Sequence, residues 1–194
     1  MDNRIQGESP QEDYRLPDGF AVLAERCANT ALSAAVNVTG DWPAARRTVR
    51  IVLAEGARKK TELPPPHDFG RWLYLQARRE ALRERRREAL PGWSQTLAEA
   101  AEVFLPGGAQ AYGALGRVQE QDRGLFLLRE LGGLGEAEIA RTVNLTLNAV
   151  RVRLRRTERR WESASLTAVC RSLAAHRLPR GWASAIVDPP GGRL

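Results

Sequence analysis

The chain has 194 residues, 43% of them hydrophobic and 27% charged, which suffices for one ordinary domain or two small ones with a buried core. No apolar run approaches the roughly 20 residues of a membrane span, and the polar opening MDNRIQGESPQEDYR lacks the h-region of a signal peptide, so a cytoplasmic location is expected. The formal net charge of +7 points to an anionic partner, nucleic acid before an acidic membrane or protein, with a merely soluble basic protein as the plain alternative.

Residues 1–17 are polar, contain Pro10 and Pro17, and are expected to form a flexible tail. From Phe20 to about Val38 the chain turns rich in Ala, Leu and Val. Leu23, Cys27, Ala31, Ala34, Ala35 and Val38 recur at helical spacing. Gly40-Asp41 closes this helix, and Asp41 is placed to cap the next, with Pro43 in its first turn. That second helix, about Trp42–Lys59, carries Val49, Val52 and Leu53 on one side. Leu63-Pro64-Pro65-Pro66 breaks the pattern. A third helix follows from Phe69 to about Ala89, with Asp68 as its expected cap. Trp72, Leu73, Leu75, Ala77 and Leu82 are expected to supply its buried face. Arg71, Arg78, Arg79, Arg83, Arg85, Arg86 and Arg87 supply a basic face.

Pro91-Gly92 ends that helix, and residues 91–108 are expected to be a linker with one short amphipathic turn. Helical patterning resumes at Ala109 and runs to about Trp161. One more helix, Leu166–Ala175, is expected after it, and then an irregular tail. Nothing alternates with period two, so the fold class is all-α: two small helical domains, 18–90 and 109–163, joined by a linker and followed by a 164–194 extension.

Residues 131–161 carry the clearest local signature. Glu136 and Glu138 lie where they complement the start of a short helix dipole. Ile139, Ala140 and Val143 face inward. Asn144 falls where a tight turn needs a positive φ, which asparagine tolerates best after glycine. Leu145 plugs the corner, and Thr146 caps a second helix. On that helix Val150, Leu154, Thr157 and Trp161 form the inward stripe. Asn148, Arg151, Val152, Arg155, Arg156 and Arg159 point outward. An arginine-rich helix entered by a tight turn suits the major groove of a duplex, its early residues on base edges and its later arginines on phosphates. The competing reading is an amphipathic helical hairpin with a solvated basic face.

Chemistry-bearing clusters do not emerge elsewhere. Cys27, Cys170, His67 and His176 lack ligand spacing for zinc, and the Gly pairs at 107–108, 132–133 and 191–192 lack phosphate-loop or dinucleotide spacing. No enzyme, cofactor, metal or small-molecule substrate is therefore expected, and two free thiols are expected rather than a disulfide. Trp42, Trp93, Trp161 and Trp182 read as packing anchors, and Trp72 as core in preference to a contact with a DNA strand.

The run ALGRVQEQDRGLFLLRELGGLGEAEIARTVNLTLNAVRVRLRRTERRW resembles region four, the promoter-binding domain, of bacterial RNA polymerase sigma factors, and most closely the extracytoplasmic-function group. Glu138-Ile139-Ala140 and Val150…Arg153-Leu154…Arg156 carry the likeness. Upstream, Phe69-Gly70-Arg71-Trp72-Leu73-Tyr74…Ala77-Arg78 looks like the third helix of that family's region two. The resemblance implies duplex contacts by Thr146, Asn148, Arg151, Arg153, Arg155, Arg156 and Arg159. It implies further DNA contacts by Arg71, Arg78, Arg79 and Arg83 near the melted strands. It also implies a surface at Ala45, Arg46, Val49 and Arg50 for the beta-prime clamp helices of core polymerase, and it allows an anti-sigma partner. The second helix departs from the family pattern: Ala44-Ala45-Arg46-Arg47-Thr48-Val49 stands where acids and a glutamine are usual. That departure motivates an alternative, a degenerate sigma-like regulator that binds DNA or a protein partner without recruiting polymerase.

Overall fold

The computed structural model describes residues 16–59, 63–90, 93, 113, 115–161 and 163–188. Their long elements are helices: α1 (Leu16–Thr39), α2 (Trp42–Arg58), α3 (Pro66–Glu88), α4 (Glu120–Glu130), α5 (Glu136–Val143), α6 (Leu147–Glu158), α7 (Ser163–Ala175) and α8 (Trp182–Val187). The all-α expectation is met. The expected N-terminal tail before residue 16, and the expected linker apart from Trp93, lie outside the described residues.

α1 is the wall on which the rest is built. It packs against α2, α3, α4 and α8. From Thr30 to Gly40 every residue is buried, as expected of a helix that has neighbours on all sides. The sequence permits this because Ala31, Ser33, Ala34 and Ala35 are small enough for neighbouring backbones to approach closely. Phe20 and Phe69 meet edge to face at 5.6 Å between centroids and tie α1 to α3.

Local capping chemistry sets the first boundaries. Gly40 takes a positive φ of 68° and ends α1. The Asp41 carboxylate accepts from the Ala44 N–H at 2.6 Å and starts α2, with proline in the first turn, as the sequence indicates. α3 departs from expectation. It begins at Pro66, three residues before Phe69, and Pro65 rather than Asp68 is the N-cap. A proline in the first turn forfeits no helical hydrogen bond, so the proline run opens the helix instead of delaying it. Asp68 sits in that first turn, where its charge faces the positive end of the helix dipole. Leu73 and Ala77 are buried as expected, but Leu75 is exposed, because it falls on the opposite side of the helix from them.

α4 lies between the two groups of helices, and Asp122 to Leu128 are all buried. Its contact with α1 is fastened by polar groups. The Arg123 guanidinium donates to Asn37 Oδ1 at 2.9 Å, to the Asn37 carbonyl at 3.2 Å and to the Val118 carbonyl at 3.1 Å. It lies 4.5 Å from the centre of the Trp93 ring, and Trp93 Nε1 donates to the same Asn37 carbonyl at 2.8 Å. Asn37 Nδ2 donates to the Glu120 carbonyl at 3.2 Å. Burial pulls the guanidinium down to about 10, so it remains charged at neutral pH and depends on these acceptors. Ser33 adds a bond from Oγ to the Leu127 carbonyl at 3.1 Å. The expected helix near 166–175 is present as α7.

The expectation of an irregular end after residue 175 is wrong, because Trp182–Val187 is helical. Six residues do not hold a helix alone. Glu25 on α1 supplies what is missing: its carboxylate accepts from the N–H groups of Gly181 at 2.6 Å, Ala183 at 3.2 Å and Ser184 at 3.3 Å. Asn29 Oδ1 accepts from the Leu178 N–H at 2.8 Å. The His176 ring stacks on Trp42 at 4.2 Å. These partners lie some 130 or more positions away in sequence, so no local pattern announces them.

Truncating Arg123 strands buried acceptors on α1, so Arg123→Ala is expected to lower unfolding free energy by about 2 kcal/mol, read as a shift in the urea midpoint. Gly124→Ala is expected to destabilise less severely, since its new Cβ would lie 2.9 Å from Asn37 Nδ2 at the end of a short side chain.

Candidate nucleic-acid interface

α4, α5 and α6 form the helix-turn-helix unit, with α5 and α6 packed on α4. α5 opens where the Gly135 N–H donates to Glu138 Oε2 at 2.9 Å, and Glu136 and Glu138 occupy its first turn. Ile139 and Ala140 are buried. Asn144 ends α5 with φ 58° and ψ 51°, the left-handed conformation that the sequence calls for. The Leu145 N–H then donates to the Ala140 carbonyl at 3.0 Å, closing the corner, and the Leu145 side chain packs on the core. Thr146 Oγ1 accepts from the Ala149 N–H at 3.2 Å and starts α6. Val150, Leu154 and Thr157 face inward, with Trp161 packed edge to face on Phe126 at 4.8 Å.

The outward residues of α6 divide into two sets. Asn148, Val152, Arg155 and Arg159 are exposed, and among the described residues no carboxylate forms an ion pair with Arg155 or Arg159. Arg151, Arg153 and Arg156 are held from within the unit. Arg151 Nε bonds Glu136 Oε2 at 2.7 Å. Arg153 Nη1 donates to Gln121 Oε1 at 3.1 Å and lies 4.0 Å from Asp122 Oδ1. Arg156 Nη2 bonds Asp122 Oδ2 in a very close contact. The Asp122 side chain is 3% exposed, so it is a buried anchor that orients two arginines from below. Gln121 and Asp122 are residues that the sequence did not single out, and Glu136 stood out only for its place at the helix start, since their partners become visible only when α4 and α5 are packed against α6. Thr146 is exposed but already serves as the cap.

On α3, Arg71 and Arg79 are exposed. Arg78 Nη2 bonds Glu120 Oε1 on α4 at 3.1 Å, and Arg83 Nη1 bonds Glu80 Oε2 at 3.0 Å. Arg71, Arg78 and Arg153 line one groove between α3 and the turn, together with Tyr74 and Asn144. The structure thus brings two residues of the α3 set and one of the α6 set to a shared cleft. On α2, Arg46 and Arg50 are exposed, whereas Ala45 and Val49 are fully buried in the core. Arg47 bridges to Glu84 at 3.2 Å and Glu88 at 2.7 Å, fastening α2 to α3.

Cys27 and Cys170 are free. Burial pushes their thiols up to about 11 and about 12, leaving both protonated and poorly nucleophilic at neutral pH. Among the described residues no group of three His, Cys, Asp or Glu is placed to hold a metal, and no helix is long and apolar enough to cross a membrane.

The left-handed turn sets a graded test. Asn144→Gly is expected to leave stability nearly unchanged, whereas Asn144→Val is expected to lower it by roughly 1–2 kcal/mol, measured by chemical denaturation. Thr146→Ala is expected to lower it by about 1 kcal/mol through loss of the α6 cap.

Among curated proteins no match is found. Residues 109–160 match the family model described as Sigma-70, region 4, a stretch that includes the whole α4–α6 unit. Residues 109–160 therefore carry a helix-turn-helix similar to sigma-70 region 4, a promoter DNA-binding domain.

Proposed function

We propose that this protein is a sigma factor of the extracytoplasmic-function group, working in the cytoplasm to direct core RNA polymerase to a set of promoters. The observation that carries the reading is the exposed outer face of α6, held behind a left-handed turn and stiffened from below by Asp122 and Glu136. Residues 109–163 would read the upstream promoter element, with Asn148 near base edges and Arg155 and Arg159 on phosphates. Residues 18–90 would serve as the second DNA-reading domain, with Arg71 and Arg79 offered to the strands as they separate, and Arg78 and Arg83 joining once released from Glu120 and Glu80. Arg46 and Arg50 form the exposed part of the proposed polymerase surface on α2, while Ala45 and Val49 support it from the core. An anti-sigma partner belongs to this reading as a regulator.

A second reading rests on α2. Arg47 is spent on Glu84 and Glu88, and the remaining exposed residues of that stretch are basic where the resemblance leads one to expect acids. This favours a sigma-like regulator that binds duplex DNA without recruiting core polymerase. Reconstitution separates the two. Stoichiometric co-elution with bacterial core polymerase and start-site selection on a genomic fragment library are expected for the first reading. Specific duplex binding without either supports the second.

Arg155→Ala is expected to weaken duplex binding to a similar degree on all sequences and to reduce the salt slope by about one, in titrations at several salt concentrations. Asn148→Ala is expected to alter sequence preference with little change in slope.

A further inference from the structure

The outer face of α6 is basic and polar except at its centre. At about 100° per residue, Val152 falls nearly opposite the inward stripe of Val150, Leu154 and Thr157. It is the position furthest from the core, with Asn148 one turn before it, Arg159 two turns beyond, and Arg155 and Arg156 at its sides. Its relative exposure is 56%, the largest on α6 for an apolar residue. Nothing local calls for valine there. It is a poorer helix former than the arginines around it, because its branched side chain loses rotamer freedom in a helix. Its side chain is left largely in solvent and gains little from burial.

We infer that Val152 is a specificity-determining residue that packs against the C5-methyl group of a thymine in the major groove. The inference rests on the duplex-binding reading of α6. The chemistry is restrictive. Every phosphate and most base-edge positions offer hydrogen-bond partners that a valine cannot use. The thymine methyl is the apolar feature displayed in the major groove. Flanking arginines hold the helix against both backbones and exclude water from the contact. Val152 lies one turn, about 6 Å, beyond Asn148 along the helix. The thymine it reads therefore lies within about two base pairs of the base that Asn148 reads, given about 3.4 Å per step along a strand.

The test removes the methyl alone. A preferred duplex is selected with the full-length chain from a random pool, and each thymine within the protected region is replaced in turn by deoxyuridine. The expected result is one thymine whose replacement weakens binding by about three- to tenfold. That loss should vanish in Val152→Ser, which binds the thymine and uracil duplexes alike, and persist in Val152→Ile, which keeps an apolar tip. Equal binding of every uracil duplex by the wild-type chain overturns the inference, as does a Val152→Ser variant that still discriminates. If binding stays salt-dependent and sensitive to Arg155→Ala in either case, the duplex-binding reading stands while the inference falls. Absence of any selected duplex sinks both.

Discussion

The rest of the molecule depends on satisfying one buried cation. Arg123 sits between α1 and α4, and its guanidinium is surrounded by Asn37, the Val118 carbonyl and the Trp93 ring. A guanidinium out of water is costly unless its donors are used. Among the described residues no carboxylate bonds it directly, so carbonyl and amide oxygens carry the load, and the geometry of their presentation becomes a constraint. The carbonyl of Asn37 is at the end of α1, Val118 precedes α4, and Trp93 comes from the segment after α3. Three distant parts of the chain must converge for one side chain to be content. The helix-turn-helix unit is thereby seated on α1 in a defined orientation.

From that seat the electrostatics of the outer surface follow. α4 presents Gln121 and Asp122 toward α6, and α5 presents Glu136. The surplus of arginine would spread and repel if left alone. Instead three arginines are drawn to fixed internal partners, and Asn148, Val152, Arg155 and Arg159 remain facing solvent. The same logic explains the unusual α2. Its Arg47 is not stray charge, because Glu84 and Glu88 on α3 receive it and the two helices are joined by that bridge. Basic residues thus serve both as glue between helices and as the face offered to an anion.

The C-terminal extension obeys a different rule. α8 is too short to persist by itself, and its free N–H groups are met by a carboxylate on α1. α7 leads back from the end of the recognition unit, and His176 closes against Trp42. Burial beside Arg46 pulls the His176 imidazole below its ordinary range, which favours the neutral ring for this stacking at neutral pH. Among the described residues, the last helix therefore returns to the first.

The features legible from the residues alone are those governed by short-range rules. Helical periodicity, the Asp41 and Thr146 caps, the left-handed Asn144 and the inward stripe of α6 each depend on neighbours within a few residues, and all are as the residues imply. The basic outer face of the recognition helix was equally legible, because helical geometry assigns it once the apolar stripe is known. Where local rules compete, reading was less sure: Pro66 opened α3 earlier than Asp68 suggested. Packing between distant segments settles which arginines are held and which are offered, that Ala45 and Val49 are interior, that Trp93 packs on Arg123, and that residues 182–187 form a helix. Each of these turns on a partner far away in the chain, as Asp122 is for Arg156, Asn37 for Arg123 and Glu25 for Ser184. A side chain's charge is written locally, but whether that charge is spent inside the fold depends on what packing brings within about 3 Å of it.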